Sequence, residues 1–212
     1  MTIIYLLFYV SLDVNFLGIN ITHNLSWNLH IKSLTSKLNK IRGILYVVRQ
    51  FLNRQSKLMI YYTLVYPNLL YGNIIWGRAP KSLINSLIIS QKKIIRAIMG
   101  VGRREHTHGL FSELKILKIN ETNIFDIGVF VFKSLNGLTV RTDYFNQNSN
   151  GLNLRNTGSL RPIYASSTQG QRSPKYYGCI IWNSLPPEIS SISNINTFKS
   201  KLRLYLLSLY NA

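Results

Sequence analysis

Acidic side chains are scarce in this sequence. It has 7 Asp and Glu residues against 25 Lys and Arg residues, which gives a formal net charge of +18 at pH 7. A surface that serves solubility alone usually mixes both signs of charge, so solubility does not account for this imbalance. We expect a polyanionic partner, either nucleic acid or an anionic membrane surface.

Cysteine is almost absent, and the residue types that bind metals or perform catalysis do not form a set. The single cysteine, Cys179, excludes an internal disulfide framework, indicates a reducing compartment and is expected as a small buried residue. His106 and His108, with His23 and His30, come without the Cys or carboxylate ligands of a tetrahedral metal site. A phosphate-binding glycine loop and a nucleophile elbow are also missing. The sequence predicts no catalytic residue, no metal site and no cofactor for this chain.

Long apolar runs are missing as well. The run from Ile3 to Val10 is eight residues long, whereas a helix that spans a membrane needs about 20. It also lacks the positively charged start of a secretory signal. We interpret it as a buried strand, and short β-branched runs predict one or two strands over residues 1 to 21. No membrane span is predicted.

Apolar residues at helical spacing are abundant, and they make up much of the 46% apolar content. A first helix is predicted from Trp27 onward. Its apolar stripe consists of Leu34, Leu38, Ile41, Leu45, Val48 and Leu52. A second helix, about residues 56 to 66, is apolar almost all round, which favours a central position, and we expect Pro67 to end it. A third helix is predicted from about Lys81 to Met99, where Gly100 stops it.

Helical patterns continue in the second half of the chain, around a polar stretch. Two are predicted over residues 110 to 119 and 122 to 138, the second with a stripe of Phe125, Val129, Phe132 and Leu135. Residues 139 to 175 are rich in Asn, Gln, Ser, Thr and Gly and indicate a long loop or linker. A strand or short helix follows through Trp182. The last predicted helix, capped near Asn196, presents Phe198, Leu202, Tyr205, Leu206 and Leu209.

Basic residues lie off the apolar stripes and form two clusters along the sequence. Cations on rigid helices can follow a phosphate backbone and release its counterions, which makes binding strong and salt-dependent. A single lysine could equally be an ordinary solvated residue, but clusters with so few acids nearby favour nucleic acid. The first cluster is Lys32, Lys37, Lys40, Arg49, Arg54 and Lys57, and the second is Lys92, Lys93, Arg96, Arg103 and Arg104.

Aromatic residues alternate with these charges, at Tyr46, Tyr61, Tyr62, Tyr66, Tyr71 and Trp76. Exposed aromatic rings can stack on unpaired bases. Most of these rings fall on apolar helix faces, however, so packing in the core is the favoured interpretation.

Several short segments, taken in order, resemble a known family. In the first half they are Phe16-Leu17-Gly18-Ile19, Leu25-Ser26-Trp27, His30-Ile31, Ser36-Lys37-Leu38-Asn39-Lys40, Gly43-Ile44-Leu45-Tyr46 and Tyr66-Pro67-Asn68-Leu69-Leu70-Tyr71-Gly72. Further on they are Gln91-Lys92-Lys93-Ile94-Ile95-Arg96, Asn153-Leu154-Arg155, Gln171-Arg172-Ser173, Trp182-Asn183-Ser184-Leu185-Pro186 and Asn196-Thr197-Phe198-Lys199. Their order and spacing resemble the end of the palm, the thumb and the C-terminal extension of a non-LTR (LINE, jockey-like) retrotransposon reverse transcriptase.

The resemblance implies a division of the chain. Residues 1–25 would be a remnant of palm strands, 26–78 a thumb-like helical bundle, 79–138 a helical extension, 139–175 a linker or loop, and 176–212 a C-terminal segment with the final helix. The fold class it implies is mainly α, with a short N-terminal β segment. The family resemblance also implies that the palm and fingers are encoded upstream of Met1.

The resemblance further implies a chain without catalysis. The family holds its metal ions on Asp residues of a Phe/Tyr-Ala-Asp-Asp turn, and none of the seven acids here forms such a pair. The intact enzyme would use Mg. This chain would instead be a non-catalytic fragment of an RNA-directed DNA polymerase that binds RNA, DNA or an RNA–DNA hybrid through its basic helices.

Two other classes of protein remain open. One is a basic membrane-surface protein, whose charged faces would meet anionic lipid. The other is a domesticated helical protein that binds a protein partner through its apolar helices. An intracellular location, nuclear or cytoplasmic, is favoured. Binding to vesicles as against nucleic acid, and purification with a protein partner, would discriminate among the three.

Overall fold

The computed structural model shows a mainly helical protein and describes residues 13–139, 144–145 and 159–210. The prediction of a mainly α fold with a short N-terminal β segment is confirmed. The strand predicted at Ile3–Val10 lies outside the described residues. The elements are β1 Asp13–Phe16, β2 Ile19–Thr22, α1 Asn28–Val48, α2 Arg54–Ile60, a π-helical turn Tyr61–Val65, α3 Tyr66–Leu70, α4 Asn73–Trp76, α5 Lys81–Met99, α6 His108–Glu113, α7 Ile119–Leu135, α8 Thr168–Gln171, α9 Pro174–Ser184, α10 Pro187–Ser190 and α11 Ile195–Ser208.

The two strands form an antiparallel hairpin in which Phe16 lies opposite Ile19. The two residues between them, Leu17 and Gly18, both have positive φ, of 49° and 80°. Such a two-residue turn matches the twist of the strands that it joins. Strand β1 is exposed throughout, while β2 buries Ile19 and Thr22 and packs against α1.

Helices α1 and α5 form the centre of the first half and run in the same direction. The Thr35 and Ser86 hydroxyl oxygens are 3.0 Å apart, and Ser90 donates to Asn39 at 3.3 Å. Both pairs are 51 residues apart in the chain, so the two helices keep one parallel register. The apolar stripe predicted for α1 is confirmed where it faces this contact: Leu34, Leu38 and Leu45 are buried.

The second predicted helix is longer and less central than its sequence indicated. Helical structure runs from Arg54 through α2, the π-helical turn and α3 to Leu70, so the prediction that Pro67 ends it is wrong. Proline has no N–H to donate to the carbonyl four residues back, which usually ends a helix. The wider π turn directly before Pro67 changes the backbone hydrogen-bond pattern there, since Tyr66 donates to the Tyr61 carbonyl five residues back. One face is buried, but Met59 remains 65% exposed.

Helix α5 confirms its prediction, and α7 is present but lies three residues earlier at each end than the predicted 122 to 138. The helix predicted over residues 110 to 119 is wrong in its C-terminal part. Gly100 ends α5 with φ of 72°, in the left-handed region that a glycine adopts without strain. Helix α6 ends at Glu113, and Lys115 has φ of 53°. The stripe predicted for α7 is only partly right: Phe132 is buried, but Phe125, Val129 and Leu135 are only partly buried, and Ile127 and Val131 are buried outside the stripe. Residues on several sides of α7 are buried because the helix packs against α4, α5, α9 and α11 at once.

The C-terminal helices form a second core with α7. The segment leading to Trp182 is a helix, α9, capped by the Ser173 hydroxyl. Helix α11 is capped by Asn194 rather than Asn196, since the Asn194 side chain accepts two backbone N–H bonds there. Its buried residues are Phe198, Leu202 and Leu206, while Tyr205 is partly buried and Leu209 is exposed.

Residues 140–143 and 146–158 of the loop predicted over residues 139 to 175 lie outside the described residues. The described parts contain α8 and two buried anchors in the second core, Phe145 and Leu160. The Asn183 side chain holds Leu160 by accepting from its N–H at 2.8 Å and donating to its carbonyl at 2.9 Å. The end of this segment is therefore fixed to α9.

Candidate nucleic-acid interface

Two surface pockets follow each other along one side of the parallel pair α1 and α5, and we call them together the α1–α5 groove. The α1 residues that line it are Lys32, Thr35, Ser36, Asn39, Lys40, Arg42, Gly43 and Tyr46. These positions recur every three or four residues, so they share one face of the helix. The opposite wall comes from Ser86 near the start of α5 and from Lys93 and Arg96 near its end.

The pocket at the far end of the groove has a volume of about 480 Å³ and is more enclosed than the one at the near end. Cationic side chains line it from both helices and from the loop that follows α5: Arg42, Lys93, Arg96 and Arg103. The parallel register explains the meeting of the first two, since Arg42 and Lys93 are also 51 positions apart. Asp and Glu are absent from the residues that line this pocket. The lining therefore presents positive charge without a carboxylate within it.

Tyr46 is the aromatic wall of the pocket. The Arg49 guanidinium lies 3.6 Å from the centre of its ring, and that of Arg103 lies 5.9 Å away. Hydrogen bonding from Arg103, and then from Arg49, lowers the pKa of the Tyr46 phenol. Two guanidinium groups thus converge on one exposed ring, and each keeps further N–H donors for a ligand.

Backbone contacts fix one of the pocket cations. The Arg96 Nε–H donates to the Glu105 carbonyl oxygen at 2.8 Å, which ties α5 to the loop that carries Arg103. The terminal guanidinium nitrogens of Arg96 are not used in that bond. A side chain held this way loses less freedom when it binds a ligand.

The near end of the groove is shallower and carries less charge. Lys32 and Lys40 lie there beside the hydroxyl groups of Thr35, Ser36 and Ser86. Both lysines are exposed. This end can therefore offer point charges and hydroxyl donors to a strand that passes over it.

Six of the eleven predicted binding residues meet at this groove. Lys32 and Lys40 line its near end, Lys93, Arg96 and Arg103 line the pocket, and Arg49 stacks on Tyr46. The groove thus draws on both sequence clusters.

Five predicted binding residues neither line the groove nor contact the Tyr46 ring: Lys37, Arg54, Lys57, Lys92 and Arg104. Arg54 forms an ion pair with Glu113, with 2.7 Å between Nη1 and Oε1. Lys37 lies close enough to His30 to lower the pKa of that imidazole, after the larger effect of burial. Neighbours in sequence therefore point in several directions.

Sequence reasoning missed two groove residues as ligands. Arg42 belonged to neither cluster, although it precedes Tyr46 by one helical turn and Arg49 by two. That i, i+4, i+7 spacing was the available signal. The prediction that the aromatic residues pack in the core is wrong for Tyr46, Tyr62 and Tyr71, which are 41%, 41% and 54% exposed. For Tyr61 and Trp76, both fully buried, the core assignment is confirmed.

Other functional chemistry finds little support in the described part of the chain. No group of three or more His, Cys, Asp or Glu side chains there could hold a metal ion. Cys179 is buried, as predicted, and burial raises the pKa of its thiol. No described helix combines the length and the apolar character that crossing a bilayer requires.

Comparisons of the chain with protein-family models, with curated proteins and with solved structures found no match. The groove and its charges are therefore the basis for the functional proposal.

Proposed function

We propose that this chain is a nucleic-acid-binding, non-catalytic part of an RNA-directed DNA polymerase of the non-LTR retrotransposon type, which holds primer and template. The observation that carries the proposal is the α1–α5 groove, with lysines at one end and a pocket of four cations at the other. Carboxylates are absent among the residues that line it.

The dimensions of the groove suit a phosphate backbone. Lys32 and Tyr46 are fourteen positions apart on α1, which is roughly 21 Å at the rise of an α-helix. Phosphates of one strand of a duplex follow each other at about 3.4 Å along the axis, so a stretch of roughly six would pass the groove. Rigid helices hold the cations in place for such a track.

The polymerase origin is supported by where the resembling segments fall. Ser36 to Lys40 and Gly43 to Tyr46 supply most of the α1 wall, and Gln91 to Arg96 supplies part of the α5 wall. Three of the eleven segments with the family resemblance thus contribute side chains to the groove. Holding nucleic acid is the role that this resemblance implies for the thumb.

Salt dependence tests the proposal. We expect the chain to bind an RNA–DNA hybrid duplex non-specifically, with Kd on the order of 10⁻⁴–10⁻⁶ M at physiological salt. Reversing three exposed groove charges, Lys32→Glu, Lys40→Glu and Lys93→Glu, should reduce the slope of log K against log salt by about 0.9 for each phosphate that the chain no longer neutralises. Fluorescence anisotropy across a salt series would measure it.

A matched control makes the same change in net charge at positions outside the groove. Lys115→Glu, Lys199→Glu and Lys201→Glu alter three lysines that do not line the groove. We expect this variant to retain most of the slope. An equal reduction in both variants would show diffuse attraction to the whole basic surface, and an affinity that does not change with salt would contradict the proposal.

A second candidate, binding at an anionic membrane surface, is favoured by one observation. Beyond the groove, Ile44, Val47 and Phe51 are 56%, 69% and 78% exposed around the C-terminal end of α1. Apolar side chains beside cations are the features of a chain that lies on a bilayer. Sedimentation with anionic vesicles, abolished in Val47→Ser with Phe51→Ser but retained in the lysine variants, would support this candidate over the first.

A further inference from the structure

We propose that the pocket at the end of the α1–α5 groove is a specific site for a phosphate monoester carried on a nucleoside, such as the terminal phosphate of a strand. This inference rests on the proposed function, in which the groove binds the phosphate backbone of a strand, and it adds a site for the end of that strand. Arg42, Lys93, Arg96 and Arg103 surround one cavity of about 480 Å³. That volume falls in the range of small-molecule sites, roughly 300–1,000 Å³.

Charge balance separates the pocket from the rest of the groove. A phosphodiester carries one negative charge, whereas a terminal phosphate monoester carries about −1.5 to −2 near neutral pH. Four cations converge on the pocket, while two lysines line the near end of the groove. The near end suits successive diesters, and the pocket suits a ligand with more charge in one place.

The donor geometry points the same way. Three of the four cations are arginines, whose forked N–H groups bind phosphate oxygens in pairs. A terminal phosphate presents three free oxygens, one more than a diester, and can therefore occupy more than one fork. Arg96 is already oriented by its bond to the Glu105 carbonyl. Its two terminal nitrogens remain to donate to the ligand.

Tyr46 suggests why the phosphate should be attached to a nucleoside. Its ring is 41% exposed and lies against the pocket between the cations. Aromatic rings stack on bases without regard to sequence. Next to it, a Cβ added at Gly43 would meet no atom within 4 Å, so the wall there is open. A base adjoining the bound phosphate can reach the ring from that side.

The two ends of the groove lie along one path. Their α1 residues share one helix face, and the centres near residues 36 and 44 are roughly 12 Å apart at the rise of an α-helix. A strand could pass over Lys32 and Lys40 and finish in the pocket. A free nucleotide could also fill the pocket alone, since both ligands carry the same chemical group.

The test compares oligonucleotides of one sequence that carry a phosphate at the 5′ end, at the 3′ end or at neither end, at constant ionic strength. We expect a terminal phosphate to tighten binding of the full chain by about tenfold or more, the effect of one charge-assisted hydrogen bond. Direct binding of a nucleoside monophosphate, measured by calorimetry, forms the second arm. It distinguishes a free nucleotide from a strand end as the source.

Two variants locate the effect. Arg42→Gln with Lys93→Gln removes two pocket cations and should abolish the preference for the phosphorylated strand, or the binding of the nucleotide. Lys32→Gln with Lys40→Gln removes the same charge from the near end and should weaken all oligonucleotides alike while keeping the preference. Circular dichroism would verify that both variants fold, which the partial or full exposure of all four side chains favours.

The outcomes separate this inference from the proposed function. A preference for a terminal phosphate that the pocket variant alone loses supports the site with a strand end as its ligand. Nucleotide binding that the pocket variant alone loses supports it with a free nucleotide. Binding of all oligonucleotides with equal affinity, without nucleotide binding, overturns the pocket site and leaves the proposed function standing. No binding of any probe overturns both.

Discussion

Replacing Gln91 by leucine should destabilise the protein more than any surface change, because this side chain satisfies three buried polar groups. It is 1% exposed. Its Nε2 donates to the Tyr61 hydroxyl and to the Leu117 carbonyl, both at 3.0 Å, and its Oε1 accepts from the Ile119 N–H at 3.1 Å. Gln91 therefore joins α5 to the π-helical turn and to the start of α7.

The magnitude follows from counting the groups that leucine would leave unpaired. Each buried donor or acceptor without a partner costs about 1–3 kcal/mol. Three such groups make a loss of at least about 3 kcal/mol in the free energy of unfolding, out of the roughly 5–15 kcal/mol typical of a domain. Leucine has nearly the same volume, so a cavity contributes little.

Urea unfolding followed by tryptophan fluorescence would measure the loss. Trp76 lies in the first core and Trp182 in the second, so both halves are reported. Gln55→Leu, at an exposed position on α2, is the matched control and should change stability by less than about 0.5 kcal/mol. A loss below about 1 kcal/mol for Gln91→Leu would refute the reasoning.

A double-mutant cycle tests the pairing itself. Tyr61→Phe alone removes one hydrogen bond and should cost about 1 kcal/mol. In the Gln91→Leu background the hydroxyl has already lost this donor, so the same change should cost little or be favourable. The coupling between the two positions should be at least about 0.5 kcal/mol, in the range for residues in one hydrogen-bond network.

Two further predictions concern the packing of α4 against α7. Burial raises the pKa of Asp126 to about 7, against a hydrogen bond from Asn73 that lowers it. In the unfolded chain the pKa of an Asp is about 3.9, so the folded protein binds this proton more tightly. Its contribution to the free energy of unfolding is complete below about pH 4 and is lost as pH rises to 7, by as much as about 4 kcal/mol. In urea unfolding, the free energy of unfolding of Asp126→Asn should not change over that pH range. A wild-type protein whose stability is also independent of pH there would contradict the raised pKa of Asp126. A Cβ at Gly77 would overlap the Asn73 and Asn123 side chains, so Gly77→Ala should lose about 1–3 kcal/mol; Gly43→Ala, in open space within α1, should gain up to about 1 kcal/mol, as thermal unfolding would show.

The helices could be predicted because their signals are local. The apolar period of α5 and the glycine that follows it predict both of its ends. Asn136-Gly137 indicates the C-terminal end of α7, whereas its start at Ile119 comes three residues before the predicted one. Pro67 misled because the π turn that accommodates it shows no sequence signal. The helix predicted over residues 56 to 66 is apolar almost all round but is not central, because Met59 and Tyr62 stay exposed, at 65% and 41%.

The groove could be predicted only in part, since its composition depends on contacts between distant segments. The sequence placed basic residues on helices, but the parallel register of α1 and α5 decides which of them meet. That register brings Arg42 to the pocket and places Arg49 with Arg103 rather than with Arg54. An ion pair with Glu113 holds Arg54 instead. The order of residues along the sequence does not show which side chains meet when two helices 51 positions apart pack together.

The two hydrophobic cores are connected, because α7 and the C-terminal segment each contribute residues to both. Ile119 packs in the first core and Ile127 in the second, while Tyr210 returns the end of α11 to the first. There the Tyr210 hydroxyl accepts from the Lys118 N–H at 2.8 Å, across 92 residues of chain. Opening either core therefore disturbs the other, so amides of α5 and of α11 should exchange with solvent through the same global event rather than through separate local ones.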